Sequence, residues 1–241
     1  MEKFSVLYID EHIAVVYKPS GLLSVPISSY KGGRTALSEL ENYMRKTGRY
    51  SSNHRPAAVH RLDRDTSGIL LFALTRPIQK KIMDNWNSVV TKRLYRAVCE
   101  NPLPKNDLLK GTEKGTINKP LSYNAYNIAY VQKENQLLNQ ENKTKNQNKK
   151  SISAITHYKI LKKGKDFSLF ELNLETGRKN QIRAHLSYAG YTICGDDNYR
   201  SKKNPFGRLA LHAAILEFIH PVSGKEMSFK VDEPEQWKNT I

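Results

Sequence analysis

Short segments in which apolar and polar residues alternate recur along this chain, and they predict β-strands with one buried and one solvated face. The continuous apolar run at 69–74 predicts a further strand, buried in the core. A hairpin is predicted at 215–227, with its turn in the Pro-Val-Ser-Gly sequence 221–224. The alternating segments lie at 5–8, 13–17, 92–99, 154–160 and 168–174.

Three other segments place apolar residues three or four positions apart, which predicts short amphipathic helices. Gly48 is predicted to stop the first, Thr75 and Pro77 to open the second, and Gly190 to end the third. The helical positions are Leu37, Leu40, Tyr43 and Met44; Ile78, Ile82 and Trp86; and Ile182, Leu186 and Ala189. Strands without regular intervening helices favour an α+β fold, with a mixed, mainly antiparallel sheet flanked by helices and loops.

One segment, 133–150, interrupts this pattern. It holds five Asn, three Gln, five Lys, two Glu, one Thr and only two Leu. So little apolar surface cannot offset the entropy of ordering the backbone, so the segment is predicted to be a mobile surface loop between two strands. The 241 residues suffice for one sizeable core, and one catalytic domain over 1–241 that carries this insertion is therefore predicted.

The chain is strongly basic, with 39 Lys and Arg against 23 Asp and Glu and a net charge of +16. This balance indicates a polyanionic partner, with RNA favoured over DNA or a membrane surface, because neither end shows a basic amphipathic helix. The first residues lack a signal peptide, and no apolar run approaches a membrane span, so a cytoplasmic protein is expected. Cys99 and Cys194 form no Cys-x-x-Cys pair, and no metal site is predicted.

The chemistry-bearing part of the sequence is 59–68, Val-His-Arg-Leu-Asp-Arg-Asp-Thr-Ser-Gly, immediately before the apolar run at 69–74. Seven hydrogen-bonding or charged side chains beside a core strand are typical of an active-site loop. Four further blocks of the sequence accompany it, in order, on either side. They lie at 6–11 with 18–21, at 92–98, at 176–186, and at 209–213 with 220–221.

Together these five blocks resemble the RluA-type pseudouridine synthases, whose signature reads His-Arg-Leu-Asp-x-x-Thr-Ser-Gly. The resemblance implies the pseudouridine synthase fold and the isomerisation of uridine to pseudouridine in RNA, without a cofactor. The first block begins within a few residues of Met1. The chain is therefore similar to the short members without an S4 domain, which implies stem-loops of 23S ribosomal or transfer RNA as substrates. A monomer is expected.

The resemblance assigns the catalytic roles to three residues. Asp63 is the carboxylate that attacks the sugar or the base or assists proton removal, and the sequence leaves these routes open. Arg183 is its expected ion-pair partner. Tyr95 is expected to stack on the target uracil near the C5 proton, because an enzyme that acts on a base must extract it from its stack.

The resemblance also implies residues that bind RNA. His60 and Arg61 are expected to fill the place of the extruded base or to contact phosphates, and Arg178 to bind phosphate where a loop enters a helix. Asn180 and Ile182 complete the predicted binding set. The family commonly has a histidine where Asn180 stands, and an amide cannot carry a proton charge near neutral pH, so a proton-transfer role there is in doubt. Weaker candidates for phosphate contacts are Lys18, Lys92, Arg93 and Arg208.

Other functions fit the sequence less well. A hydrolase triad of Ser67, His60 and Asp63 would lie within eight residues and lacks a Gly-x-Ser-x-Gly elbow. The glycines at 111–115 lack the Gly-Lys-Ser/Thr ending of a phosphate-binding loop. The serious alternative is an RNA-binding protein of the same fold that has lost catalysis, and the presence of Asp63, Tyr95 and Arg183 argues against it.

Overall fold

The two strands predicted at 5–8 and 13–17 are confirmed. The computed structural model, described over residues 2–27, 33–132 and 151–241, pairs β1 (Ser5–Ile9) antiparallel with β2 (Ile13–Lys18). The Asp10 carboxylate closes the turn between them by accepting the backbone N–H groups of His12 and Ile13. The predicted insertion at 133–150 lies outside the described residues.

The other predicted strands and helices also form, with boundaries shifted by a few residues. The first helix begins at a capping box built by Thr35 and Ser38. The helices and strands that follow β2 in the described part of the chain are α1 (Ala36–Lys46), β3 (Ala57–Ala58), β4 (Ser67–Ala73), α2 (Arg76–Asp84), α3 (Trp86–Val89), β5 (Val90–Glu100), β6 (Lys114–Asn118), β7 (Leu121–Tyr123), β8 (Ala129–Val131), β9 (Ile155–Lys163), β10 (Phe167–Leu174), α4 (Gln181–Ala189), β11 (Leu211–Ile219), β12 (Glu226–Lys230) and α5 (Glu235–Asn239).

The chain divides into two compact units, and the division falls inside β5. The first unit comprises Met1–Tyr95 and Leu211–Glu233, and the second comprises Arg96–Ala210 and Pro234–Ile241. None of the helices in the described ranges is long and apolar enough to cross a membrane.

In the first unit, β4 is the central strand and every one of its residues is buried. It pairs antiparallel with β2 and β3 and parallel with β11, which in turn pairs antiparallel with β12. The parallel pair meets closely at Gly68, whose φ is +119° and whose missing Cβ would lie 2.2 Å from the Ala213 carbonyl oxygen. Glycine is required there for both reasons.

In the second unit, β9 pairs antiparallel with both β6 and β10, and the short strands β7 and β8 form a separate hairpin. The antiparallel pairs, together with the parallel pair of β4 and β11, confirm the predicted α+β class and its mixed, mainly antiparallel sheet. Two details differ from the sequence prediction. The helix expected to reach Trp86 ends at Asp84, and the strands β6 to β8 were not predicted.

Candidate active site

The predicted active-site loop connects β3 to β4, so its last residues enter the most buried strand of the first unit. Asp63 is half-buried, and its carbonyl accepts the N–H of Thr66 at 3.2 Å in a tight turn. Arg61 is exposed. The loop therefore presents Asp63 near the surface from a rigid base.

Side chains from the end of β2 and the segment after it bind the backbone on both sides of Asp63. Ser24 is buried and bonds the Leu62 carbonyl at 2.7 Å and its N–H at 3.0 Å. The Lys18 ammonium donates to the Arg64 carbonyl at 2.8 Å, and the Ser20 hydroxyl donates to the Asp65 carbonyl at 2.7 Å. These three side chains, which we call the loop clamp, fix the backbone that carries the Asp63 carboxylate.

Lys18 was a weak candidate for an RNA phosphate contact, and the structure shows that this prediction was wrong. Its side chain is fully buried, and its ammonium also donates to the carbonyls of Pro19 and Leu22. Carbonyl oxygens at the ammonium offset the cost of burying its charge.

His60 packs its ring against Trp86, with 5.2 Å between the ring centroids. Its Nε2 accepts the backbone N–H of Leu71 in β4 at 3.0 Å, so the proton of the neutral ring lies on Nδ1. Burial, together with the charge of Arg93, lowers the pKa of His60 to about 3. His60 thus continues the pairing of β4 where β3 ends, and its expected RNA contact stays a prediction.

Tyr95 lies in β5 and is 9% exposed. Burial raises the pKa of its phenol, the nearby Arg93 charge partly opposes this, and the Asp63 charge adds to it. Tyr95 is therefore a neutral phenol at neutral pH, close enough to Asp63 to feel its charge. The Arg93 guanidinium lies 5.6 Å from the Trp86 ring, and burial lowers its pKa.

Arg183, in α4, is held by a carboxylate that the sequence analysis did not single out. Its Nε and Nη2 donate to the two oxygens of Asp196 at 2.7 and 2.6 Å, a bidentate pair whose side chains are 10% and 0% exposed. The guanidinium also lies 5.3 Å from the Tyr199 ring. Such a pair fixes the plane of the guanidinium, and a lysine could not reproduce it.

The loop that enters α4 carries the remaining predicted binding residues. Arg178 is exposed and its Nε donates to the Ser153 carbonyl at 3.1 Å, while Asn180 occupies the helix N-cap in a left-handed conformation. Ile182 is 4% exposed. Gln181 fixes this loop, because its amide oxygen accepts the Arg178 N–H and its amide nitrogen donates to the Ile155 carbonyl in β9.

Comparison with protein-family models identifies the family of this chain. Residues 12–188 match the model of the family described as RNA pseudouridylate synthase. The chain belongs to this family. As an RNA pseudouridine synthase, it is an isomerase that takes RNA as its substrate and converts uridine to pseudouridine.

Named relatives of this pseudouridine synthase cover nearly its whole length. Ribosomal large subunit pseudouridine synthase D of Zymomonas mobilis is 32% identical, over 95% of this chain and 69% of that protein. The uncharacterized RNA pseudouridine synthase YlyB of Bacillus subtilis is 31% identical, over 98% of this chain and 71% of that protein. The solved structure of human RNA pseudouridylate synthase domain containing 4 shares the fold, with a TM-score of 0.69 at 20% identity over 98% of this chain and 90% of that one.

Of the predicted site residues of this synthase, the first unit brings together His60, Asp63 and Tyr95, and the second brings together Arg178, Asn180, Ile182 and Arg183. Ser67 does not join them, because it is buried and donates to Nδ1 of His212 at 2.8 Å. Sequence reasoning missed Ser24 and Asp196. The signal for Ser24 is its place a few residues after the Lys-Pro-Ser-Gly turn, and for Asp196 the Gly-Asp pair after α4.

Proposed function

We propose that this synthase isomerises a uridine in a stem-loop of 23S ribosomal or transfer RNA, in the cytoplasm, with Asp63 as its nucleophile. The name of the Zymomonas mobilis relative, a ribosomal large subunit enzyme, supports the ribosomal choice. The proposal that Asp63 is the nucleophile rests on the loop clamp. Four hydrogen bonds from Lys18, Ser20 and Ser24 immobilise the backbone around this one carboxylate, and such rigidity is what a positioned nucleophile needs.

The reaction breaks the bond between N1 of uracil and C1′ of ribose and forms one between C5 and C1′. The base keeps its atoms, and the C5 proton is exchanged for one on N1, so no oxidant or reductant is consumed. Asp63 can serve by attacking the sugar or the base, or by assisting removal of a proton. We propose that the Tyr95 ring stacks on the extruded uracil, a role that suits a buried, neutral phenol.

The remaining residues are proposed to hold the RNA and to hold Asp63. Arg183, already oriented by Asp196, is proposed to pair with the Asp63 carboxylate during the reaction. His60, Arg61 and Arg178 are proposed to contact the RNA around the extruded nucleotide. Asn180 and Ile182 are proposed to line the substrate from the start of α4.

The decisive experiment measures tritium release from RNA that carries uridine labelled at C5, since the reaction liberates that proton. Total RNA from a strain without the gene serves as substrate. We expect release with the wild-type protein, none with Asp63→Asn, and near-normal release with Asp65→Asn. Asp65 is the matched control, since it belongs to the same loop but pairs with Arg64 at 3.0 Å.

Unchanged release with Asp63→Asn would contradict the role of Asp63, and no release with the wild type would contradict the proposed substrates. Mapping pseudouridines in ribosomal and transfer RNA with and without the gene then identifies the target. A site that disappears only from transfer RNA would overturn the ribosomal choice.

A further inference from the structure

The hairpin of β7 and β8 in the second unit presents one aromatic side chain to solvent. Leu121 pairs with Val131 and Tyr123 pairs with Ala129, and five residues turn between the strands. Tyr126 lies in this turn and is 85% exposed, more than any other large apolar residue among the described ranges. Neither the fold nor the proposed chemistry accounts for so exposed a ring.

The turn holds Tyr126 in a defined position. The side-chain oxygen of Asn124 accepts the backbone N–H groups of Tyr126 and Ile128, both at 3.0 Å. The Asn124 N–H donates to the Ile128 carbonyl at 3.1 Å, and Asn127 adopts the left-handed conformation that such a turn requires. With the Asn127 N–H, which donates to the Asn124 carbonyl at 2.9 Å, four internal hydrogen bonds order this backbone although the Tyr126 ring is largely exposed.

The base of the hairpin is fastened to the elements that carry the predicted RNA-binding residues. Leu121 and Ala129 are buried in a cluster with Ala184 of α4. The Tyr123 hydroxyl donates to the Lys179 carbonyl at 3.3 Å, and the Tyr199 hydroxyl donates to the Ala129 carbonyl at 2.7 Å. The hairpin and the loop that enters α4 thus form one rigid surface of the second unit.

Within the stretch 114–132, which contains this hairpin, the charges have one sign. No Asp or Glu occurs from Lys114 to Gln132, and this stretch also contains Lys119. On the neighbouring loop, Arg178 and Lys179 are exposed. The nearest acid along that loop, Glu175, is 3.2 Å from His157. A largely exposed aromatic ring on a stretch that carries cations and no acids is suited to binding unpaired nucleotides, because the cations attract phosphates and the ring stacks on a base.

We propose that Tyr126 stacks on an unpaired base of the substrate RNA outside the reacting nucleotide, and that the β7–β8 hairpin is a binding surface for single-stranded RNA. This inference rests on the RNA substrate of the proposed function and adds a contact for it. A protein partner is disfavoured, since a single largely exposed ring offers little apolar area to bury.

The test compares Tyr126→Ala, Tyr126→Phe and Tyr43→Ala. Tyr43 is the matched control, a tyrosine on α1 that is 38% exposed. Dissociation constants are measured by fluorescence anisotropy with a labelled oligouridylate of about 12 nucleotides and with an RNA duplex of the same length. We expect Tyr126→Ala to weaken binding of the single strand about tenfold or more, and Tyr126→Phe and Tyr43→Ala to change it less than about twofold.

Two further readouts separate stacking from a general loss of affinity. Duplex binding should not respond to Tyr126→Ala, because paired bases are already stacked. The salt dependence of single-strand binding should keep its slope, whereas Lys179→Ala should reduce the slope by about 0.7, the value for one phosphate contact. Equal affinities of Tyr126→Ala and wild type for the single strand, or an equal loss for duplex, would overturn the inference.

This outcome is independent of the proposed function, which depends on tritium release. If the wild type releases no tritium from RNA but Tyr126→Ala still binds the single strand more weakly, the proposed function fails and the hairpin surface stands. If the wild type is active and Tyr126→Ala binds normally, the reverse holds. Circular dichroism confirms the folding of each variant.

Discussion

At the scale of single residues, His60 has a structural role that its motif did not indicate. The sequence places it in the signature of the active-site loop, where it is expected to contact RNA. In the structure its Nε2 is an acceptor for the Leu71 N–H, so the ring must remain neutral to keep this bond. Its buried position lowers its pKa to about 3, which satisfies that requirement.

This gives a pH dependence of stability that can be measured. The ordinary pKa of about 6.5 is higher than the folded value, so the unfolded chain binds the extra proton and stability falls as the pH drops below about 6.5, down to about 3. The loss approaches about 1.4 kcal/mol per pH unit in that window. Urea unfolding at several pH values should therefore show that the stability advantage of wild type over His60→Asn is largest above pH 6.5 and shrinks below it.

A difference between wild type and His60→Asn that is the same at every pH would show that the folded protein accepts a proton on His60 without losing the Leu71 bond.

At the scale of elements, we expect the loop clamp to affect the rate of the reaction rather than the binding of the RNA substrate. Ser24→Ala removes both hydrogen bonds to Leu62 inside the protein, and we expect it to reduce stability by about 1–3 kcal/mol. It should also lower kcat about tenfold or more, because the backbone of Asp63 is released, while KM stays nearly unchanged.

Ser168→Ala is the control for this experiment. Ser168 is equally buried and donates to the Asn101 side chain, in the second unit. It should lose comparable stability without the loss of kcat. If both variants lose kcat to the same extent at a temperature where both are folded, the clamp has only a structural role.

The same scale shows what the sequence could predict. Elements with a regular apolar pattern, such as β1, β2 and α1, were predicted with nearly correct boundaries. The strands β6 to β8 were missed because they are only three to five residues long, which is too short to show a clear period. The break before Trp86 was missed because the helical spacing of apolar residues continues through it.

The candidate site likewise contains residues that could be predicted from the sequence and residues that could not. Asp63, Tyr95 and Arg183 could be selected from the sequence, since each belongs to a short sequence motif. The residues that hold them in position could not be selected in this way. Ser24 lies 38 positions from Leu62, and Asp196 lies 13 positions from Arg183, so only the fold brings these partners together.

At the scale of the whole molecule, the net charge of +16 dominates association with RNA. Each neutralised phosphate releases counterions, so contact with about six phosphates of a single strand gives a slope near −4 for log K against log salt. We expect the dissociation constant for RNA to rise steeply from low to high salt. Titrations at a series of salt concentrations measure this slope, and a flat response would contradict an interface led by phosphates.

The close packing at Gly68 limits where this enzyme can accept insertions and deletions. No other residue fits between β4 and the backbone of Ala213, so the chain cannot shift along β11 by even one position at this point. The number of residues that separates Asp63 from Gly68 is thereby fixed. An insertion or deletion in that interval would move the carboxylate away from its supports, whereas the outer turns of the molecule can change in length without touching the chemistry.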